Sequence, residues 1–293
     1  MKNEKIIKIF DELHNIYKSL GNTYRERAYK KIINKLKTLD KEIKTSNELK
    51  GIEGFGNRTL IKIDEILKTN KLKLLEELKK KNKSINVRIE LQKIYGIGPK
   101  LANKYVSEYN LKSIDDFKKL VKEKKIKLTE QQMIGLKYYK DLLKPIPRNE
   151  IKLFTNKLQK TLHKKFKTLH VLPMGSYYRG EKTSGDIDLI IYDKTIKTKN
   201  DLLKSTIFND IVDYLQEDSI IIDILSRGYN NISAIVRTNK NNIRQMDIRF
   251  SPYDLLEYFI LYFGSGEELS RKMRLEAKEQ GYKLSEWGLI KKD

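Results

Sequence analysis

Asp186 and Asp188 stand two residues apart in "MGSYYRGEKTSGDIDLIIY" (174–192), directly after a loop of Gly, Ser and Arg. Residues i and i+2 of a strand point to the same side. The spacing therefore sets two carboxylates together, which is costly unless a cation lies between them. A third carboxylate, Asp247, occurs in "RQMDIRF" between the apolar residues Met246 and Ile248, on what reads as another strand. Three acidic groups on adjacent strands can hold two Mg2+ ions, roughly 4 Å apart, for in-line phosphoryl transfer. Mg2+ suits such a set because it prefers oxygen ligands and commonly bridges carboxylates to substrate phosphates, and Mn2+ is an acceptable substitute. Gly175 and Ser176 offer backbone N–H groups and a hydroxyl to a triphosphate, and Arg179 can pair with its charge. Taken singly, these residues have plainer roles: Asp186 as a turn residue, Arg179 as a solvated charge, Asp247 as a strand-edge aspartate paired with Arg249. The joint pattern is far more specific than any of its members.

The elements that must position these groups are strands. After "KPIPRNEI" (144–151), whose two prolines mark a boundary, one helix over 150–166 precedes the runs "HVLPM", "DIDLIIY", "SIIIDILS", "NISAIVRT" and "RQMDIRF". Their β-branched residues and period-2 alternation predict one sheet carrying helices. From "PYDLLEYFILYFGSG" through "EELSRKMRLEAKEQGY" the pattern is helical again.

The first half reads as almost wholly helical. Ile6, Ile7, Phe10, Leu13, Ile16, Tyr17 and Leu20 follow one helix face, and Gly21 ends it. "IEGFGNRTLIKI" (52–63) and "IYGIGPKLANKY" (94–105) share Ile, Gly-x-Gly and a downstream Lys at equal offsets, which is an internal repeat. Each copy predicts a tight hairpin feeding a helix N-terminus, where backbone N–H groups and the helix dipole favour a phosphate. Two such copies in a basic chain indicate helix-hairpin-helix motifs, with Gly54, Gly56, Gly96 and Gly98 gripping nucleic-acid backbone without reading sequence.

Composition agrees with that. The 293 residues carry a formal charge of +22, which points to a polyanionic partner. An AT-rich genome also yields lysine, so the charge supports the motifs and does not replace them. Hydrophobic residues make up 39%, enough for folded units, and the absence of cysteine excludes disulfides, thiolate metal sites and Cys nucleophiles. No apolar run is long enough for a signal peptide or a membrane span, so a soluble intracellular protein without membrane partners is expected.

The assembled pattern, Gly-Ser…Arg-Gly…Ser-Gly-Asp-x-Asp with a later strand aspartate, resembles the family X DNA polymerases, of the beta-like type, within the nucleotidyltransferase superfamily. The likeness is colinear over nearly the whole chain: hairpins around Gly54-Phe55-Gly56 and Gly96-Ile97-Gly98, the motif "GSYYRGEKTSGDIDLII", then "DIRF", "YFGSG" (262–266) and "SRKMRLEAKEQGYKLSEWGL" (270–289). It implies an α+β fold: an all-helical N-terminal half with two helix-hairpin-helix motifs, a nucleotidyltransferase-type α/β palm, and a short thumb. The implied domains are a helical lyase-type domain (1–78), a helical DNA-binding subdomain (79–148), the palm (149–253) and a nascent-base-pair subdomain (254–293). The implied activity is templated gap filling in base excision repair, on gapped or nicked duplex DNA with deoxynucleoside triphosphates. A monomer is expected, with a DNA ligase as a further partner.

Carried over residue by residue, the resemblance makes Asp186, Asp188 and Asp247 metal ligands, with Asp247 helping to activate the primer 3′-hydroxyl. Ser176 and Arg179 would hold the β- and γ-phosphates with Gly175, Ser184 and Gly185 assisting. Tyr262 and Phe263 would lie under the sugar and Glu267 over the base, while Arg271 and Arg274 would face the template. Lys62 matches the family's Schiff-base lysine for removing a 5′-deoxyribose phosphate. Arg58 lies one turn before it, and Tyr29 and Lys50 match supporting positions. Three departures accompany these matches. Ser270 stands where an Asn usually touches the minor groove of the new pair, and Gln245 where an Arg commonly precedes the third aspartate. The chain also ends soon after "EWGLIKKD", where the family continues through a further strand and helix.

Two other readings compete. A template-independent nucleotidyltransferase of this family typically inserts a long palm loop and carries Gly-Trp in place of Tyr-Phe, whereas Tyr262-Phe263 is intact here. A non-catalytic helix-hairpin-helix scaffold would have no use for three aspartates and Arg179. No BRCT-like segment precedes the first helix and no phosphoesterase domain follows the last, so BRCT-type partner recruitment and nuclease editing have no visible basis in the sequence.

Overall fold

The computed structural model describes residues 3–81 and 84–291. The chain divides into two compact units, residues 1–132 and 133–293.

The first unit is helical: α1 (Glu4–Ser19), α2 (Thr23–Thr38), a 3-10 turn (Ser46–Leu49), α3 (Asn57–Thr69), α4 (Lys73–Lys81), α5 (Ile85–Leu91), α6 (Pro99–Tyr109) and α7 (Ile114–Lys122). The periodic face of α1 is buried as expected, from Ile6 to Tyr17, against Ile32, Ile33 and Leu36 of α2 and Ile63 and Ile66 of α3. Both hairpins of the repeat share one construction. The first glycine takes a left-handed backbone, φ +96 at Gly54 and +79 at Gly96, which other residues adopt only at a cost. The second glycine, Gly56 or Gly98, is the residue preceding α3 or α6. The residue between them, Phe55 or Ile97, is buried and pins the hairpin to the core.

In α8 (Glu130–Lys137) the first unit gives way to the second, which continues with α9 (Tyr139–Leu142), β1 (Ile146–Pro147), α10 (Arg148–Lys165), β2 (Leu169–Pro173), α11 (Gly175–Tyr178), β3 (Thr183–Ser184) and β4 (Ile187–Asp193). Next come α12 (Lys199–Lys204), α13 (Ile207–Glu217), β5 (Ile221–Arg227), β6 (Asn231–Arg237), β7 (Ile243–Pro252), α14 (Leu256–Gly264) and α15 (Glu267–Glu279). A five-stranded mixed sheet runs in the order β2-β4-β7-β6-β5, with β4 and β7 parallel and the other neighbours antiparallel. Ile187, Leu189 and Ile191 of β4, with Met246, Ile248 and Phe250 of β7, pack against Phe154 and Leu158 of α10 and Phe208 and Ile211 of α13. Alternation then sends Asp188 and Asp247 to the opposite face. There Ile190 meets Phe259 of α14.

The helical reading of the last segment holds through α14 and α15 and overruns their end by a few residues. α15 stops at Glu279, and Tyr282 opens a hairpin of β8 (Tyr282–Ser285) and β9 (Gly288–Lys291). Gly281, at φ +81, turns the chain out of the helix. Trp287 in the hairpin turn packs on Phe259 and stacks on Tyr229. Among the described residues, no helix is long and apolar enough to cross a membrane.

Candidate active site

Asp188 and Asp247 are direct register partners across the parallel β4–β7 pair. With Asp186, which precedes β4, they form a cluster whose carboxylate oxygens lie within 4.8 Å of one another. β7 is bonded on both sides, to β4 and β6, so Asp247 lies inside the sheet and not on an edge strand. Gln245, on the same strand face, donates from Nε2 to Asp247 Oδ1 at 3.4 Å and to Ser233 Oγ at 3.2 Å.

The electrostatics of the cluster call for positive charge. Burial, then the charges of Asp186 and Asp247, push the Asp188 carboxyl up to about 7, with Arg179 and Arg249 offsetting part of this. Burial, then Asp247, also raises Asp186. An all-oxygen set of three half-buried carboxylates fits a hard divalent cation. A pH dependence follows. Because the folded-state Asp188 value is raised, its protonated form contributes stability at low pH, and that contribution is lost as pH rises through about 7. A cation supplies the missing charge only once the proton has left. Stabilisation of the protein by Mn2+ should therefore be larger at about pH 8 than at about pH 5.5. Melting curves with and without the cation test this, and equal shifts at both pH values would refute it.

The Gly-Ser-Arg loop is fitted to this cluster. Gly175 has φ +57, and a Cβ placed there would stand 1.8 Å from Asp188 Oδ2, so no side chain is compatible with both the turn and the carboxylate. Ser176 Oγ donates to Ser184 Oγ at 2.6 Å. Ser184 belongs to β3, which pairs with β1 through Ile146 and fixes the far side of the loop. Gly185 leaves open space where a side chain would project, so nothing at that position demands glycine by close approach. Arg179 is engaged by Glu181, Nη2 to Oε1 at 2.9 Å.

α14 and α15 close the other side. Phe263 joins Met174, Asp188, Leu189, Asp247 and Arg249 around a small cavity of about 60 Å3. Arg249 lies over the Phe263 ring at 5.2 Å. The Tyr262 ring is 5.0 Å from that of Phe263 and lies beneath Arg274 at 5.8 Å. Arg274 Nε donates to the carbonyl of Ser270, itself buried. Glu267 opens α15, and Arg271 is exposed one turn later. A wider cleft of about 470 Å3 lies beside Arg179 between Tyr178, Leu261 and Leu269.

In the first unit Lys62 is half-buried on α3 and donates from Nζ to the Arg58 carbonyl at 2.9 Å. Burial lowers its pKa, and the charges of Arg58 and Arg25 lower it further. Arg25 is held near it by donating to the Tyr17 hydroxyl at 2.9 Å and lying over that ring. Tyr29 is a core residue, stacked on Tyr17 and Phe10, and burial pushes its hydroxyl up to about 12. Lys50 is exposed just after the 3-10 turn, and Gly54, Gly56, Gly96 and Gly98 are exposed at the two hairpins.

Three family models match in chain order: a helix-hairpin-helix domain over residues 1–72, the fingers domain of DNA polymerase lambda over 89–143, and the DNA polymerase beta palm over 145–253. In that order the three matches support a family X DNA polymerase. It is 27% identical over 294 residues to DNA polymerase lambda of Arabidopsis thaliana and 28% over 295 residues to that of Rattus norvegicus, 98% of this chain in each case. It is 26% identical to the DNA-directed DNA/RNA polymerase mu of Homo sapiens over 156 residues, 53% of this chain and 30% of that protein. The chain spans about half the length of the two lambda relatives, 54% and 49%.

The palm match contains all three aspartates and the Gly-Ser-Arg loop, and the helix-hairpin-helix match contains Lys62 and the first hairpin. Arg25, Arg249 as the partner of Phe263, and Glu181 are neighbours of the site that were not expected from the sequence. Arg249 had a signal, since it is two residues from Asp247 and so shares its strand face. Arg25 is far from Lys62 in sequence, and only the packing of α2 beside α3 exposes it.

Proposed function

We propose that this chain is a DNA-directed DNA polymerase that fills short gaps in base excision repair, with a 5′-deoxyribose-phosphate lyase in its first unit. The observation that carries the reading is the meeting of Asp186, Asp188 and Asp247 beside the Gly175–Arg179 loop. The three carboxylates would hold Mg2+, which lowers the pKa of a bound hydroxyl and neutralises charge building up on the phosphoryl oxygens.

The remaining roles belong to the chain. Ser176, Ser184 and Arg179 would bind the β- and γ-phosphates, with amides of Gly175 and Gly185. The aromatic pair Tyr262-Phe263 would form the floor of the sugar pocket, with Glu267 over the base and Ser270 at the pair's minor groove. Arg271 and Arg274 would face the template. As the primer 3′-oxygen bonds to the α-phosphorus, the bond to the bridging oxygen breaks and pyrophosphate leaves. In the first unit the neutral Lys62 amine would attack the sugar aldehyde of a 5′-deoxyribose phosphate and lose water to form an imine, with Arg58, Lys50 and Tyr29 as supports. Loss of a C2′ proton would then break the C3′–O3′ bond and free the 5′-phosphate end of the strand. The two hairpins would hold duplex backbone on either side of a gap. These roles correspond to a lyase-type domain (1–78), a DNA-binding subdomain (79–148), a palm (149–253) and a nascent-base-pair subdomain (254–293), with a DNA ligase sealing the product.

Extension of a primer across a one-nucleotide gap, with and without a 5′-phosphate, tests this reading. Extension expected on the gap must be absent without a template base, and failure to extend any primer would overturn it. Gly175→Ala should lower incorporation by about a hundredfold, because its Cβ must displace Asp188 and ångström-scale misplacement costs that much. Single-turnover incorporation by folded Gly175→Ala measures it, and a near wild-type rate would refute the fit.

A further inference from the structure

Arg179 already holds an anion. Its Nε and Nη2 both donate to Oε1 of Glu181, at 3.2 and 2.9 Å. The backbone is built to bring the two side chains together. Gly180 takes φ +82, its N–H donates to the Tyr177 carbonyl, and the Glu181 N–H donates to the Ser176 carbonyl at 3.1 Å. Two residues apart in sequence, Arg179 and Glu181 are thereby folded back onto each other. A carboxylate oxygen accepting from a guanidinium is also close in chemistry to a phosphate oxygen doing the same. Ser176 is likewise occupied, by Ser184. Both side chains of the ion pair remain partly in solvent, at 35% and 52% exposure, so the contact can open without unfolding anything.

We propose that Glu181 is an internal competitor for the outer phosphates of the nucleotide: it holds Arg179 between turnovers and yields it when a triphosphate binds. This rests on the reading of Arg179 as a ligand of the β- and γ-phosphates. Glu181 weakens polyphosphate binding twice over, by occupying the guanidinium and by placing a negative charge beside the entering anion. The same contact re-forms as pyrophosphate leaves, so it favours product release. Ligands without outer phosphates do not sense it. Glu181 is a positioning residue, acting through Arg179.

The test uses the full chain on gapped DNA with Mg2+. Binding of deoxynucleoside triphosphate and monophosphate is measured on a dideoxy-terminated primer, and steady-state incorporation on an ordinary one. Glu181→Gln should lower the triphosphate Kd and the KM by about threefold, the scale of one exposed ion pair. Its kcat should be unchanged or lower, and it should be inhibited by pyrophosphate at correspondingly lower concentration. Monophosphate binding should not change, and the gain should shrink at high salt. Unchanged or weaker triphosphate binding by Glu181→Gln, in a protein whose wild type incorporates normally, would overturn the proposal and leave the polymerase reading standing. Equal tightening of the monophosphate would overturn it too, marking a general field effect. Absence of incorporation by the wild type would bring down both.

Discussion

Asp247→Ala is expected to abolish nucleotide addition while leaving gapped-DNA affinity within about threefold of wild type. Asp247 faces Asp188 across the parallel strands and completes the oxygen set, so its loss removes a metal ligand and the carboxylate nearest the attacking hydroxyl in our assignment. Loss of metal-assisted charge stabilisation is worth several kcal/mol, or at least about 1,000-fold in rate. DNA affinity instead comes from basic side chains and hairpin amides, which the substitution does not touch. The variant also carries an internal control against misfolding. Asp247 is one of the charges that raise Asp188, so its removal relieves repulsion in the metal-free protein. The melting temperature without cation should be equal or higher. Near wild-type extension by Asp247→Ala would show that the cluster is not the catalytic centre.

The second large effect concerns the first unit. Borohydride should trap a covalent adduct between the wild type and a pre-incised abasic site, and Lys62→Ala should largely remove it. Attack requires the unprotonated amine. Lys62 is moved toward that form by burial and by two guanidinium groups, Arg58 one turn away and Arg25 from α2. Since the pKa is lowered, the reactive amine fraction should rise with pH and reach its midpoint below the ordinary lysine range. Arg58→Ala should shift that midpoint upward by withdrawing one positive charge. Equal trapping by Lys62→Ala would move the nucleophile elsewhere. An unchanged pH profile in Arg58→Ala would remove the electrostatic account while leaving Lys62 as the nucleophile.

Much of the fold was legible because it rests on short-range periodicity. The buried face of α1, the repeated Gly-x-Gly hairpins, the helix before the sheet and each of the five strands follow from spacings of 3.6 and 2 residues. The terminal hairpin was missed. Tyr282 to Ser285 alternates over only four residues, too short a run to stand out from the helix before it, and the break falls at a single glycine.

The candidate site divides along the same line. The side-by-side placement of Asp186 and Asp188 and the glycines of their loop belong to the sequence, because neighbouring residues are tied by backbone geometry whatever the rest of the chain does. That Asp247 joins them was decided by the tertiary structure: β4 and β7 must lie parallel and in one register, and a slip of one residue would turn its carboxylate into the core. Arg25 reaches Lys62 only through the packing of α1, α2 and α3, and Arg249 reaches Phe263 only because α14 folds across the sheet face. Glu181 lies between the two cases. It is two residues from Arg179, yet their pairing required the left-handed turn at Gly180. Local spacing fixes which side chains share a face, whereas contacts between distant residues depend on which surfaces bury the most apolar area together, and that is settled only by the whole fold.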